Sequence, residues 1–201
     1  MFKHILLGII VSLGFLQVNG LAQVVSGKAA PDFTLTDTYG HKHSLSDYKG
    51  KWVVLEWFNP ECPFVRKHYN SGNMQSLQKQ YTSQGVIWLS INSSAPGKQG
   101  SYTPQEFNQF MKSKGAGPTA VLIDRNGKVG RLYDAQTTPS MYVIDPQGIL
   151  IYQGAIDNIP SADPADIKSA HNYVSAALDA AMSGKPVAVN TTKSYGCSVK
   201  Y

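Results

Sequence analysis

Cysteine is scarce in this chain: its 201 residues contain only two, Cys62 and Cys197, 135 positions apart. So wide a spacing excludes a disulfide-stapled miniature fold, which relies on several bridges. Charge is scarce too, at 15% of residues, and the 18 Lys and Arg that face 13 Asp and Glu nowhere form a run of five or six. Without a concentrated basic stripe, nucleic acid is not an expected partner, and the net +5 reads as a mildly basic, solvated surface. Beyond the N-terminal segment no apolar run approaches the roughly 18 residues of a membrane span. What the chain does have is 42% hydrophobic residues. That suits one domain with a sizeable core and excludes disorder as the main state.

The N-terminus reads as an address. Phe2-Lys3-His4 is a short basic start, and Ile5 to Val18 is mostly apolar. Gly20-Leu21-Ala22 then supplies small residues at the −3 and −1 positions of a cleavage site. Together they predict a secretory signal peptide over residues 1–22, since the apolar part is short for an uncleaved anchor. The expected mature protein is periplasmic or secreted, without stable membrane insertion after cleavage, in a compartment where disulfides persist.

Residues 23–185 read as one α/β domain. Trp52 to Phe58 and Val86 to Asn92 are near-continuous apolar runs, the pattern of strands buried on both faces. A helical stretch from Cys62 to about Tyr81 is interrupted near Ser71-Gly72. Thr103-Pro104-Gln105-Glu106 starts another helix with a capping box, running to about Ser113. Short strands are expected at Phe33 to Thr36 and Val121 to Ile123, and a hairpin pairs Met141 to Ile144 with Ile149 to Gln153 across Asp145-Pro146-Gln147-Gly148. A final helix is predicted from Pro164 to Met182, capped by Asp163. Residues 186–201 read as a polar tail without helical period. Strands alternating with helices predict a mixed sheet with helices on both faces.

The chemistry concentrates at Cys62, which follows the first buried strand and the breaker Asn59-Pro60-Glu61. Pro63 at the first helical position makes Cys62 the N-cap. There the free N–H groups and the helix dipole favour a thiolate over a thiol, and Arg66 and Lys67 add positive charge. The alternative is an inert buried Cys acting as a small hydrophobe. Thr138-Pro139, before the strand at Met141, reads either as an edge device or as a cis proline that leaves backbone groups free for an extended substrate.

Ala30 to Leu35, Leu45 to Val54, the Cys62-Pro63-Phe64-Val65 turn into helix, and Thr138-Pro139 with Ile144 to Gly148 together resemble the redoxin group of the thioredoxin superfamily. More narrowly they resemble its peroxiredoxin-like branch, the alkyl hydroperoxide reductase and thiol-specific antioxidant type. The tail Gly196 to Tyr201 is similar to that branch as well. The resemblance implies a thioredoxin-like fold, with Cys62 in the active-site position and Pro139 as the cis proline facing it. Departures narrow the activity. Val65 stands where a thioredoxin has its second Cys, so no local disulfide can close. Asn59 and Leu55 stand where a peroxiredoxin has Thr or Ser and Pro, and Pro139 stands where it has a peroxide-orienting Arg. Thiol–disulfide exchange with protein or small-molecule thiols and disulfides therefore ranks ahead of hydroperoxide reduction, and a binding module that has lost catalysis ranks third.

Cys197 is the one resolving candidate within the chain. From Pro186 an extended tail spans roughly 36 Å, against a radius of gyration of about 16 Å for a domain of this length, so it can reach Cys62. Three states stay open: a redox-active pair, a Cys197 that is free or pairs with another chain, and a permanent structural bond worth about 5 kcal/mol on the entropic model. Candidate substrate-contacting residues are Pro63, Thr138 and Pro139. Glu56 and Glu61 flank the Cys loop as candidate proton acceptors. His41 and His43 read as a solvated edge, and His68, six positions after Cys62, is expected to point away from the sulfur. Nothing in the spacing calls for a metal or other cofactor. Every enzymatic reading requires that the Cys62 sulfur be reachable from outside.

Overall fold

The structure is a computed structural model that describes residues 24–201; the predicted signal peptide lies outside the described residues. Its centre is a seven-stranded sheet. In chain order the strands are β1 (Thr34–Asp37), β2 (Lys42–Ser44), β3 (Val53–Trp57), β4 (Ile87–Asn92), β5 (Ala120–Ile123), β7 (Ser140–Ile144) and β8 (Leu150–Gly154). A separate two-residue strand, β6 (Thr137–Thr138), precedes β7. The spatial order is β2-β1-β5-β4-β3-β7-β8. β3, β4 and β5 run parallel, and β1 and β7 flank this parallel centre antiparallel. β3 lies inside the sheet between β4 and β7 and is wholly buried, which is why its sequence shows no apolar–polar alternation.

Side chains that alternate along β3 divide the core in two. Val53, Leu55 and Trp57 face a layer with Leu89, Ile91, Tyr133 and Tyr142. Val54 faces the helices α1 (Pro63–Asn70), α2 (Asn73–Thr82) and α3 (Pro104–Lys114) through Val65, Tyr69, Met74, Leu77, Tyr81 and Phe107. The helix α5 (Tyr173–Met182) joins that layer through Val174, Ala177 and Leu178. The opposite layer holds Val129 of α4 (Lys128–Leu132).

The predicted strands and the first three helices are present with ends shifted by one or two residues. The Thr103 capping box forms as expected, Thr103 Oγ1 accepting from Glu106 N and Thr103 N donating to the Glu106 carboxylate. The final helix needs correction. Pro164–Lys168 is a 3-10 turn, and α5 starts only at Tyr173, capped by Asn172, whose side chain accepts from Ser175 N at 2.9 Å. Asn158 N donates to His171 O and Tyr173 N to Ile156 O, so backbone pairing with the preceding loop breaks the apparent helix at 169–172. α4 and β2 were not foreseen, both being too short for a periodic signal. In α4 the Asp124 carboxylate accepts from the free N–H groups of Val129 and Gly130, the stabilisation a helix start needs.

The segment after α5 does not hang free. It runs beside β8, with Gln153 N donating to Asn190 O and Thr192 N to Gln153 O. It then crosses to the sheet's end, where β9 (Cys197–Ser198) pairs antiparallel with β6.

Candidate active site

Cys62 is the N-cap of α1 and Pro63 its first residue, as the sequence predicts. The approach is fixed by an Asx turn: Asn59 Oδ1 accepts from Glu61 N at 2.9 Å, and Cys62 N donates to Asn59 O at 3.0 Å. Asn59 is held in turn by its Nδ2, which donates to Gln99 O, and by Gly100, where any Cβ would run into the Asn59 amide. The Thr138–Pro139 peptide bond is cis. The Thr138 carbonyl oxygen lies 3.1 Å from Cys62 Sγ. The Thr138 hydroxyl is buried and has no hydrogen-bond partner among the described residues.

Cys197 Sγ lies 2.6 Å from Cys62 Sγ, with both cysteines free. Four of the five predicted site residues, Cys62, Cys197, Thr138 and the adjoining Pro139, thus come together, and Pro63 opens the helix beside them. One expectation is corrected. The Cys62 sulfur is not open to solvent: the residue has 0% exposure. The tail contributes to that cover, since Cys197 and Tyr195 pack against the same cluster as Cys62. Burial, the hydrogen bond to Cys62 and the charge of Cys62 push the Cys197 thiol up to about 12. Cys197 therefore keeps its proton at neutral pH while Cys62 faces it.

The charges expected beside Cys62 are engaged elsewhere. Arg66 Nε donates to Pro60 O, and Lys67 is buried, its Nζ 3.4 Å from Asp157 Oδ2 and donating to Ile159 O at 2.9 Å. Glu56 faces the helices and accepts from Tyr69 OH, Trp88 Nε1, Ser90 Oγ and Gln78 Nε2. Burial raises its pKa against the opposing pull of those four donors. Glu56 is thereby a fully partnered core carboxyl. His68 is buried, and burial lowers its pKa to about 4, with the nearby Asp157 opposing and Lys67 assisting. At the other end of the sheet, His41 and His43 both contact Asp37. Despite the cost of burial, the His41 and Tyr39 N–H groups and the two rings hold that carboxyl down at about 2. No group of three or more metal-ligating side chains occurs among the described residues.

The sequence reading missed what holds the tail. Tyr195 OH donates to Asp157 Oδ1 at 2.5 Å, and its ring packs edge-on against Phe64. Gly196 has φ +129 and passes over Thr138 so closely that a Cβ would overlap the carbonyl oxygen. Tyr201 OH donates to Ala135 O at 2.7 Å. An aromatic residue and a glycine directly before a lone tail cysteine were the signal available in the sequence.

The arrangement of a helix-start Cys, a facing cis proline and a central parallel sheet can be set beside known proteins. A model of the AhpC/TSA family matches residues 26–153. The chain belongs to the AhpC/TSA family. It is an oxidoreductase of the thioredoxin-like redoxin branch. It is similar to the thiol-disulfide oxidoreductase ResA of Bacillus subtilis (strain 168), 31% identical over 151 residues that span 73% of this chain and 79% of ResA. Its fold is similar to an uncharacterized conserved protein of Geobacillus kaustophilus, with TM-score 0.74 and 29% identity over 90% of this chain and 94% of that one. A hypothetical protein of Sinorhizobium meliloti 1021 is also similar, with TM-score 0.73 and 25% identity over 89% and 96%. No helix among the described residues is long and apolar enough to cross a membrane.

Proposed function

We propose that this protein is an exported thiol–disulfide oxidoreductase in which Cys62 is the nucleophile and Cys197 the resolving thiol. The carrying observation is the approach of the two sulfurs to 2.6 Å beside the Thr138 carbonyl. In the reductive direction, Cys62 thiolate attacks a substrate disulfide. A bond forms between Cys62 and one substrate sulfur, the substrate S–S bond breaks, and the other sulfur leaves as thiolate. Cys197 then attacks the Cys62 sulfur, closing the Cys62–Cys197 disulfide and releasing the second substrate thiol. Two electrons pass from the cysteine pair to the substrate, and an external dithiol resets the pair by the same exchange.

The proton on Cys197 fits this order. Two causes of its raised pKa, the hydrogen bond to Cys62 and the Cys62 charge, vanish once Cys62 is tied to substrate. Cys197 then ionises more readily at the step that needs its thiolate. Hydroperoxide reduction gains no such support, because Pro139 stands where a peroxiredoxin has its peroxide-orienting Arg, and Arg66 is committed to the Pro60 carbonyl. Export rests on residues 1–22, which would deliver the domain of residues 23–185 and its tail to the periplasm or medium. The test is trapping. Cys197→Ser incubated with a disulfide-bonded polypeptide accumulates a mixed disulfide at Cys62, whereas Cys62→Ser accumulates none. A trapped adduct on Cys197 instead of Cys62 overturns the assignment.

A further inference from the structure

The proposed nucleophile is fully buried, yet it must meet an external disulfide. On the side of the cis proline the cover is the chain's own C-terminus. β9 pairs antiparallel with β6 in the register Thr137↔Ser198 and Thr138↔Cys197, and Val199 N donates to Gln136 O at 3.0 Å. The tail therefore lies as an extended backbone with a cysteine sulfur delivered onto Cys62. That is the pose an incoming polypeptide would have to adopt to present its own sulfur. We propose that residues 195–201 are a strap occupying the substrate edge, that the substrate is an extended polypeptide carrying a disulfide, and that Cys62 reacts with it only while the strap is lifted. The inference rests on the role proposed above for Cys62.

The strap is pinned at both ends and weakly paired between them. At one end Tyr195 is held on Asp157, which Lys67 also contacts. At the other, Tyr201 OH bonds Ala135 O, the Arg131 guanidinium lies 4.4 Å over its ring, and Ala95 N donates to Lys200 O at 2.7 Å. The fit at Tyr201 is close: a Cβ on Gly127 or Gly130 would overlap its ring or hydroxyl. Between the pins the ladder has two residue pairs. A short terminal ladder opens at far lower free energy than the seven-stranded core, so lifting is local. The exposed edge then offers main-chain partners and the unpartnered Thr138 hydroxyl, which suit a polypeptide backbone better than a small disulfide. After attack, the strap returns and Cys197 closes on Cys62 in the balanced exchange given above.

Tyr201 tests this because none of its contacts is with either sulfur. In the reduced full-length protein, mixed-disulfide formation at Cys62 with a disulfide-linked extended peptide is timed by quenching and peptide mapping. Tyr201→Ala, which loses a pinning contact, and Gly196→Ala, whose Cβ would overlap the Thr138 carbonyl oxygen, are each expected to accelerate it on the order of tenfold and to slow the later closure to Cys62–Cys197. Cys62 should attack a small disulfide of matched reactivity more slowly than the peptide in every variant. Equal attack rates in wild type and both variants overturn the strap, and a small disulfide that matches the peptide overturns the polypeptide substrate. Attachment of the peptide at Cys197 alone, in any variant, instead overturns the role of Cys62 itself.

Discussion

Cys62 and Cys197 meet at one point but are held there in opposite ways. Cys62 sits between a fully buried interior strand and a helix, fixed by the Asn59 turn and itself fully buried. Cys197 sits on a two-residue strand near the chain end, held by side-chain pins at Tyr195 and Tyr201. The contrast teaches that the two sulfurs need different freedoms. On the roles proposed for them, Cys62 gains from a fixed position and a helix start, and Cys197 from a segment that can leave and come back. Disturbing the first should change the fold or abolish chemistry, and disturbing the second should change rates while leaving the fold intact.

The largest expected effect breaks the pair itself. Cys62→Ser should lower disulfide-exchange turnover by at least about a thousandfold, as loss of a nucleophile does. Cys197→Ser should lower turnover comparably while preserving the first attack, so that stopped-flow detects one thiol released and then nothing. Equal, undiminished turnover in Cys197→Ser would show that an external thiol resolves Cys62.

Next come changes on the fixed side. Glu56→Ala strands Tyr69, Trp88, Ser90 and Gln78 without their shared acceptor. At about 1–3 kcal/mol per unpaired buried group, partly relaxed, the loss should be about 4 kcal/mol in urea unfolding. Gly196→Ala, in the tail, should cost only about 1.4 kcal/mol, the free-energy equivalent of a tenfold easier strap opening, and so shift the urea midpoint far less than Glu56→Ala. A large shift for Gly196→Ala would mean that the strap belongs to the cooperative core.

His68 lies behind both regions, its ring near Tyr195 and Asn73. Its pKa is about 4 in the folded protein against 6.5 when unperturbed. The unfolded chain therefore takes up a proton between these values while the folded one does not. Stability from the neutral ring is full above pH 6.5 and is lost as pH falls towards 4, by about 3 kcal/mol in all. Unfolding measured across that window should slope less in His68→Gln, and an unchanged slope would remove His68 as its source. Smallest is the cap that starts α5. Asn172→Ala should cost about 1 kcal/mol, and Asp163→Ala less, because Asp163 caps only a 3-10 turn.

That last pair marks where sequence reading stopped. Ile167, Ala170 and Val174 keep a helical rhythm through the break, and the rhythm does not reveal that Tyr173 N bonds Ile156 O instead of continuing a helix. β3, the α1 start and the Thr103 box were legible because each is dictated within a few residues, by uninterrupted apolarity, by Pro63 and by paired side chains. The pins were not legible. Asp157, Lys67 and Ala135 are ordinary residues until the tail lies on them, and Tyr195 looks like any tail aromatic.

The sequence by itself determined that a cysteine opens a helix at the end of a buried strand, since capping and strand burial are local matters of residue type and spacing. Only the tertiary structure decided that Cys197 would cross 135 positions to lie on it, and that Cys62 would be fully buried there. The physical reason is that such a contact comes from several separate pins acting together on a flexible segment, and no stretch of neighbouring residues encodes that sum.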